Sequence, residues 1–149
     1  MDLNKGRKKR VLIICTGNSC RSQMAEGFLR HLSNDILEVF SAGTIPSIVH
    51  PLTVQVMGEV GIDISHHTSK SVAQFVEQKF DYVITVCDNA KESCPIFPGA
   101  RQTLHIPFED PVQFIGTKEE RLEKFRQVRD QIKVGIERFF RKEFRKSEP

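Results

Sequence analysis

Apolar positions in this chain alternate between short continuous runs and helical stripes. Val11 to Ile14 is an unbroken, mostly β-branched run, the pattern of a strand covered on both faces. It stops at the polar stretch Thr16-Gly17-Asn18-Ser19, where a loop is expected. Beyond Arg21, Met24, Ala25, Phe28, Leu29 and Leu32 fall along one stripe of a helix. Leu37, Val39 and Phe40 predict a second strand ending at Ser41-Ala42-Gly43, after which Pro51 opens a helix and Gly61 stops it.

The same alternation continues to the end of the chain. A short helix is expected near Ser71 to Lys79, then a buried strand, Tyr82 to Val86, that delivers Cys87 to its carboxyl end. A fourth strand is expected near Thr103 to Ile106. From Lys118, Leu122, Phe125, Val128, Ile132, Ile136, Phe139 and Phe140 recur at steps of three and four, which predicts one long amphipathic helix. Strands alternating with helices imply an α/β fold, a four-stranded parallel sheet flanked by helices in three layers, with a binding site at the carboxyl ends of the strands.

Size and composition narrow the picture. A chain of 149 residues, 39% hydrophobic and 28% charged, without linker or repeat, reads as a single domain spanning 1–149. Its charged ends, about 1–8 and 143–149, are expected to be disordered. No stretch approaches the ~20 apolar residues of a membrane span, and the run after the basic start is too short for a signal-peptide core. A cytoplasmic monomer is the expectation. The net charge of +3 gathers in GRKKR at 6–10 and RKEFRK at 141–146 without base-stacking aromatics, so these read as solvated ends and not as a nucleic-acid arm. Four cysteines in a cytosolic setting point to redox or metal chemistry and away from a structural disulfide framework.

Five residues separate Cys15 from Arg21, between the first strand and the first helix. That spacing has a physical meaning. The intervening peptides, Thr16, Gly17, Asn18, Ser19 and Cys20, can curl around a tetrahedral oxyanion with their N–H groups inward, aided by the helix N-terminus. Gly17 is expected to permit the turn. Arg21 closes the ring with two parallel charged hydrogen bonds, Cys15 sits beneath the central atom as thiolate, and Ser22 is placed to donate to its sulfur.

With Cys15-Thr16-Gly17-Asn18-Ser19-Cys20-Arg21-Ser22-Gln23-Met24-Ala25-Glu26 on view, the sequence resembles the low-molecular-weight tyrosine phosphatase superfamily, and within it the thioredoxin-coupled arsenate reductases. Ser41-Ala42-Gly43, Asp63-Ile64-Ser65, Val86-Cys87-Asp88, Cys94-Pro95 and Glu109-Asp110-Pro111 carry the resemblance in order along nearly the whole chain. It implies reduction of arsenate to arsenite, an arsenic-detoxifying activity, by a relay of Cys15, Cys87 and Cys94. Arg21 would hold the oxyanion and Asp110 would act as general acid. No cofactor is implied, and the electron donor would be thioredoxin, or glutaredoxin with glutathione.

Each of these residues also has a plainer reading. Asp110 before Pro111 is a common turn opener, Cys20 is as readily a packing thiol as a protective disulfide partner, and Cys87 and Cys94 could be strand-end and surface thiols. Zinc is not expected, because neither a second cysteine pair nor a compact histidine cluster accompanies them. Lys91-Glu92 suggests an exposed, mobile helix between Cys87 and Cys94. The five histidines, His66-His67 included, read as surface or turn residues. A phosphatase acting on aryl phosphates needs only Cys15, Arg21 and Asp110 and is the alternative activity; a non-catalytic oxyanion-binding or redox-sensing module is a second.

The arsenate reductases that this chain resembles divide over a potassium site, and the matching positions here are Asn18, Glu26, Ser41 and Lys70. Potassium-binding members carry aspartate at the last of these. The Lys70 ammonium is therefore expected to take the cation's place and neutralise Glu26.

Overall fold

The first strand, β1 (Lys9–Cys15), is fully buried from Val11 to Ile14 because it lies inside the sheet. β2 (Leu37–Gly43) pairs with it in parallel on one side and β3 (Phe80–Thr85) on the other. β4 (Ala100–His105) pairs in parallel with β3, giving the order β2-β1-β3-β4. The computed structural model describes residues 7–88 and 96–144. The α/β expectation of a four-stranded parallel sheet holds.

Successive β1 side chains point to opposite faces, and two cores form. Val11 and Ile13 pack with Met24, Phe28, Val56, Phe125 and Ile132, contributed by α1 (Arg21–Ser33), α2 (Pro51–Glu59) and α3 (Lys118–Phe144). Leu12 and Ile14 meet Phe75, Phe80 and Phe97 on the other face. Cover there is thinner than the pattern predicts. The expected helix over 71–79 is a single 3-10 turn, Val72–Phe75, in which only Phe75 is buried, too small an apolar stripe to hold a full helix against the sheet.

Two boundaries shift for reasons of packing. The fourth strand starts three residues early, at Ala100, because the Phe80 N–H bonds the Gly99 carbonyl at 2.9 Å and opens the ladder there. At the other end, α3 continues through Glu143 and Phe144, into the stretch expected to be disordered. Tyr82 Oη bonds Glu143 at 2.9 Å and the Tyr82 and Phe144 rings lie 5.3 Å apart, so the last turn is held to the sheet.

Candidate active site

Parallel register brings the chemistry to one end. Cys15 pairs with Gly43, Ile14 with Thr85, and the Val86 N–H still bonds the Ile14 carbonyl at 2.9 Å. Cys15 and Cys87 thus leave adjacent strands at the same carboxyl edge. Cys87 is fully buried and disulfide-bonded. Cys94 and the segment 89–93, where a mobile helix was expected, lie outside the described residues.

After Cys15 the chain curls tightly before α1 begins. The carbonyls of Cys15, Thr16, Gly17 and Ser19 accept from the N–H groups of Thr44, Ile45, Ser47 and His50 at 2.9–3.3 Å, and Ser69 Oγ donates to the Gly17 carbonyl at 2.8 Å. Carbonyls bonded outward turn the opposite edges of their peptide planes inward, the arrangement an anion needs. The Asn18 N–H points at Cys15 Sγ, 3.2 Å away.

The residue that makes the turn is not the glycine. Asn18 holds the left-handed conformation, at φ 47°, which asparagine tolerates better than most residues, whereas a Cβ on Gly17 would meet only ordinary contacts at 3.6 Å or more. The glycine that the loop cannot do without is Gly43. A Cβ there would stand 2.5 Å from the Thr16 carbonyl oxygen and 2.8 Å from the Asn18 nitrogen. Gly43 was visible only as the end of a strand; its proximity to the loop arises from sheet pairing.

A polar lattice beneath the loop fixes the environment of the sulfur. The Lys70 main-chain N–H donates to Asn18 Oδ1 at 2.8 Å. That assigns the amide, so Asn18 Nδ2 donates to Ser22 Oγ at 2.7 Å and to Ser41 Oγ at 2.9 Å. With Ser22 Oγ already accepting, its hydroxyl hydrogen is available to Cys15 Sγ at 2.8 Å, as the sequence suggested. Ser41 in turn donates to Glu26 Oε1.

Arg21 is almost wholly buried. Nη1 donates to the Phe108 carbonyl at 3.2 Å and Nη2 lies 3.6 Å from Asp110 Oδ2. Asp110 Oδ1 accepts from the Val112 N–H at 3.0 Å, so its turn-capping reading is realised while its other oxygen faces the site. Cys15, Thr16, Gly17, Ser19, Cys20, Arg21 and Asp110 all line one cavity of about 660 Å³. Asn18 and Ser22, completely buried, lie under it and act on the loop from below. Burial pushes the Cys20 thiol well above its ordinary pKa, a poor state for a nucleophile.

Two expectations change. Lys70 does not pair with Glu26: its Nζ donates to the Thr68 carbonyl at 2.8 Å. The ion pair to Glu26 comes from Arg30, one helical turn on, with Nε 2.8 Å from Oε2. Asn18, Ser41 and Glu26 thereby find protein partners for the groups a potassium ion would engage, and Glu26 has its counter-charge. The turn reading of His67 holds, its N–H closing on the Ile64 carbonyl at 3.0 Å, but the side chain does not lie at the surface. Its side chain is 8% exposed, Nδ1 meets Gln23 Oε1 at 3.0 Å, and Gln23 Nε2 reaches Asn18 Oδ1 at 3.0 Å. Among the described residues, no group of three or more His, Cys, Asp or Glu is arranged to hold a metal.

The sequence that builds this strand, loop and helix around Cys15 and Arg21 matches the family model described as low molecular weight phosphotyrosine protein phosphatase over residues 10–148. The chain belongs to that family. Within it, an arsenate reductase of Shouchella clausii is 46% identical over 132 residues, 89% of this chain and 95% of that one; another, of Halalkalibacterium halodurans, is 45% identical over the same shares. Among solved structures, an arsenate reductase in the phosphate binding state is 36% identical, with TM-score 0.75 over 90% of this chain and 98% of that one. The Corynebacterium glutamicum thioredoxin-dependent arsenate reductase is 30% identical, with TM-score 0.58 over 87% of this chain and 62% of that one. For this member of the phosphatase family, no helix of the described residues is long and apolar enough to cross a membrane.

Proposed function

We propose that this chain reduces arsenate to arsenite through Cys15, Cys87 and Cys94 and is returned to its dithiol form by thioredoxin, in the cytoplasm and as a single-domain monomer. The observation that carries the reading is the pairing of an oxyanion loop on Cys15 with a second, disulfide-bonded cysteine, Cys87, at the same edge of the sheet. Hydrolysis of a phosphate ester has no use for that second thiol. The identity of 45–46% to arsenate reductases over most of the chain supports the same choice.

In this mechanism, arsenate sits in the loop amides and the Arg21 fork. The Cys15 thiolate attacks arsenic, and an arsenate oxygen leaves as water with the proton of Asp110, giving a sulfur–arsenic(V) adduct. Cys87 then attacks the Cys15 sulfur. A sulfur–sulfur bond forms, the sulfur–arsenic bond breaks, and its electron pair stays on arsenic, which departs as arsenite. Cys94 displaces Cys15 from Cys87, and the resulting Cys87–Cys94 disulfide is reduced by the exposed dithiol of thioredoxin.

The test is arsenate-dependent NADPH oxidation with thioredoxin and its reductase, repeated with glutaredoxin and glutathione. Turnover with the first pair supports the reading and turnover only with the second changes the donor. Failure with both, alongside efficient aryl-phosphate hydrolysis, would replace reductase by phosphatase. Some hydrolysis is expected beside reduction, since Cys15, Arg21 and Asp110 suffice for it.

A further inference from the structure

At the pole opposite the active site, the amino ends of β1, β3 and β4 enclose a second cavity of about 530 Å³, lined by Arg7, Arg10, Lys79 and Arg101, with Asp81 as its one carboxylate. Asp81 is buried; it accepts the Arg10 main-chain N–H at 2.8 Å and lies 3.8 and 3.9 Å from Arg7 and Lys9. No ion pair of Lys79 or Arg101 is formed among the described residues. The basic stretch at 6–10, which the catalytic reading leaves unused, supplies two of the four cations. The last turn of α3, with Arg141 and Lys142, is pinned to the same half of β3 through Tyr82.

The cavity is built, not a chance gathering of side chains. Arg10 is fixed at every nitrogen: Nε to Glu38 at 3.0 Å, Nη1 to the Lys79 carbonyl at 2.9 Å and Nη2 to Gln78 Oε1 at 2.6 Å. Its guanidinium lies over Phe40 and Phe80, 5.0 and 4.6 Å from the ring centroids. A guanidinium held by ring faces and mostly neutral acceptors keeps its charge and loses little freedom on meeting an anion. The opposite wall is brought close by Gly99, where a Cβ would collide with the Gln78 carbonyl oxygen.

We infer that this cavity binds a linear polyphosphate, the di- or triphosphate portion of its ligand spanning Arg10, Lys79 and Arg101. Four cations face Asp81 in the cavity and Glu38 on Arg10, and the positive excess, carried by Lys79 and Arg101, suits a chain of phosphates better than one. The volume falls within the roughly 300–1,000 Å³ of small-molecule sites, well beyond the needs of one tetrahedral anion. Inorganic polyphosphate and a nucleoside triphosphate share this chemistry, and Pro98 and Ala100 leave an apolar wall against which a nucleoside would rest.

The experiment is calorimetric titration of the full chain with inorganic tripolyphosphate and with ATP in about 0.15 M salt, a range in which loose surface contacts are screened, together with amide NMR shifts. Inorganic phosphate is held constant to occupy the catalytic loop. Binding should move the amides of Gln78 to Tyr82 and Gly99 to Arg101. Lys79→Gln with Arg101→Gln should weaken it at least tenfold, with arsenate turnover measured without polyphosphate unchanged. Tighter binding of ATP than of tripolyphosphate identifies a nucleotide site; equal or weaker binding identifies the phosphate chain alone. Shifts confined to residues 15–22, unchanged affinity in the double variant, absence of binding, or displacement by a single-stranded oligonucleotide at a tenth of the concentration would each overturn the assignment.

Discussion

The main-chain N–H of Lys70 donates to the side-chain oxygen of Asn18 at 2.8 Å, and the orientation of the Asn18 amide and of Ser22 under the Cys15 sulfur follows from that bond. A peptide N–H can only donate, so Oδ1 must accept and Nδ2 must donate to Ser22 and Ser41. Ser22 is then left with its hydrogen for Cys15. Beside the Asn18 main-chain N–H, the sulfur's side-chain donor is thus selected by a residue that lies beyond α2 in the chain.

Asn18→Asp tests this chain of donors. Aspartate keeps the size and tolerates φ 47° but removes both Nδ2 hydrogens and sets a carboxylate near Glu26 and the Cys15 thiolate. Loss of a hydrogen bond to a charged group costs about 1.5–3 kcal/mol, so kcat for arsenate should fall roughly ten- to a hundredfold. Steady-state kinetics decide it; wild-type kcat in a folded variant would show that Ser22 needs no such orientation.

Gly43→Ala should disable the loop while sparing the fold. The new methyl cannot coexist with the Thr16 carbonyl oxygen, and overpacking of this kind costs typically about 1–3 kcal/mol. Arsenate reduction and aryl-phosphate hydrolysis should fall together, with far-ultraviolet circular dichroism unchanged and a lowered Tm. Retention of either activity at the wild-type level would count against a rigid loop.

Much of this architecture was legible in the sequence, and the exceptions have a common cause. β1, α1, the Pro51 start of α2 and the stripe of α3 follow from local periodicity, because the burial of Val11 to Ile14 or of Phe125 depends on neighbours at fixed spacing. The Cys15, Arg21 and Ser22 arrangement was legible for the same reason: it lies within one loop. Asn18 as the left-handed residue, Gly43 against Thr16, Arg30 in place of Lys70, and His67 under the loop were not. Each is settled by contacts between separate elements or by competition between neighbouring residues, as when Arg30 on α1 reaches Glu26 before Lys70 can. The end of α3 was misplaced because Tyr82, far off in sequence, anchors Glu143.

Stability should decline in mild acid through His50. Its Nδ1 accepts the Leu52 N–H at 3.1 Å and so caps α2, a role that requires the neutral ring. Burial, followed by the charge of Arg121, lowers its pKa below the ordinary value of 6.5, with Asp110 opposing. The unfolded chain therefore takes up the proton first as pH falls: this contribution is complete above about pH 6.5 and is lost below it, through the depressed folded pKa. His50→Asn keeps a capping acceptor without a proton to gain, so Tm between pH 7.5 and 5.5 should fall less in the variant. Equal slopes would remove His50 from the account.

Potassium should have no specific effect on the wild type at fixed ionic strength, because Arg30 already meets the charge of Glu26. Arg30→Met leaves that carboxylate, whose side chain is 5% exposed, without its ion pair. Breaking a buried pair costs about 3–5 kcal/mol, and the half-exposed Arg30 partner lowers the figure here to roughly 1–3. The variant should melt earlier, and potassium should restore part of the loss where sodium does not. A potassium-specific gain in the wild type would sink the argument.

Replacement of Cys87 or of Cys94 by serine should stop multiple turnovers of arsenate while leaving aryl-phosphate hydrolysis largely intact, because ester hydrolysis moves no electrons. The two blocks should fall at different steps. Without Cys87 the adduct on Cys15 has no thiol to attack it, so arsenic should remain bound after one equivalent of arsenate. With Cys87 present and Cys94 absent, one arsenite should be released and a Cys15–Cys87 disulfide should accumulate, a bond that the shared strand edge of the two residues makes geometrically reasonable. Mass spectrometry of tryptic peptides after a single arsenate addition separates the cases, and the unaltered chain should finish with Cys87 joined to Cys94. Cys15→Ser should abolish both activities, since a hydroxyl there stays protonated near neutral pH, and Arg21→Lys should weaken oxyanion binding strongly by losing the two-pronged geometry. Full thioredoxin-coupled turnover by both the Cys87 and the Cys94 variants would end the relay mechanism and leave hydrolysis as the better account of the loop.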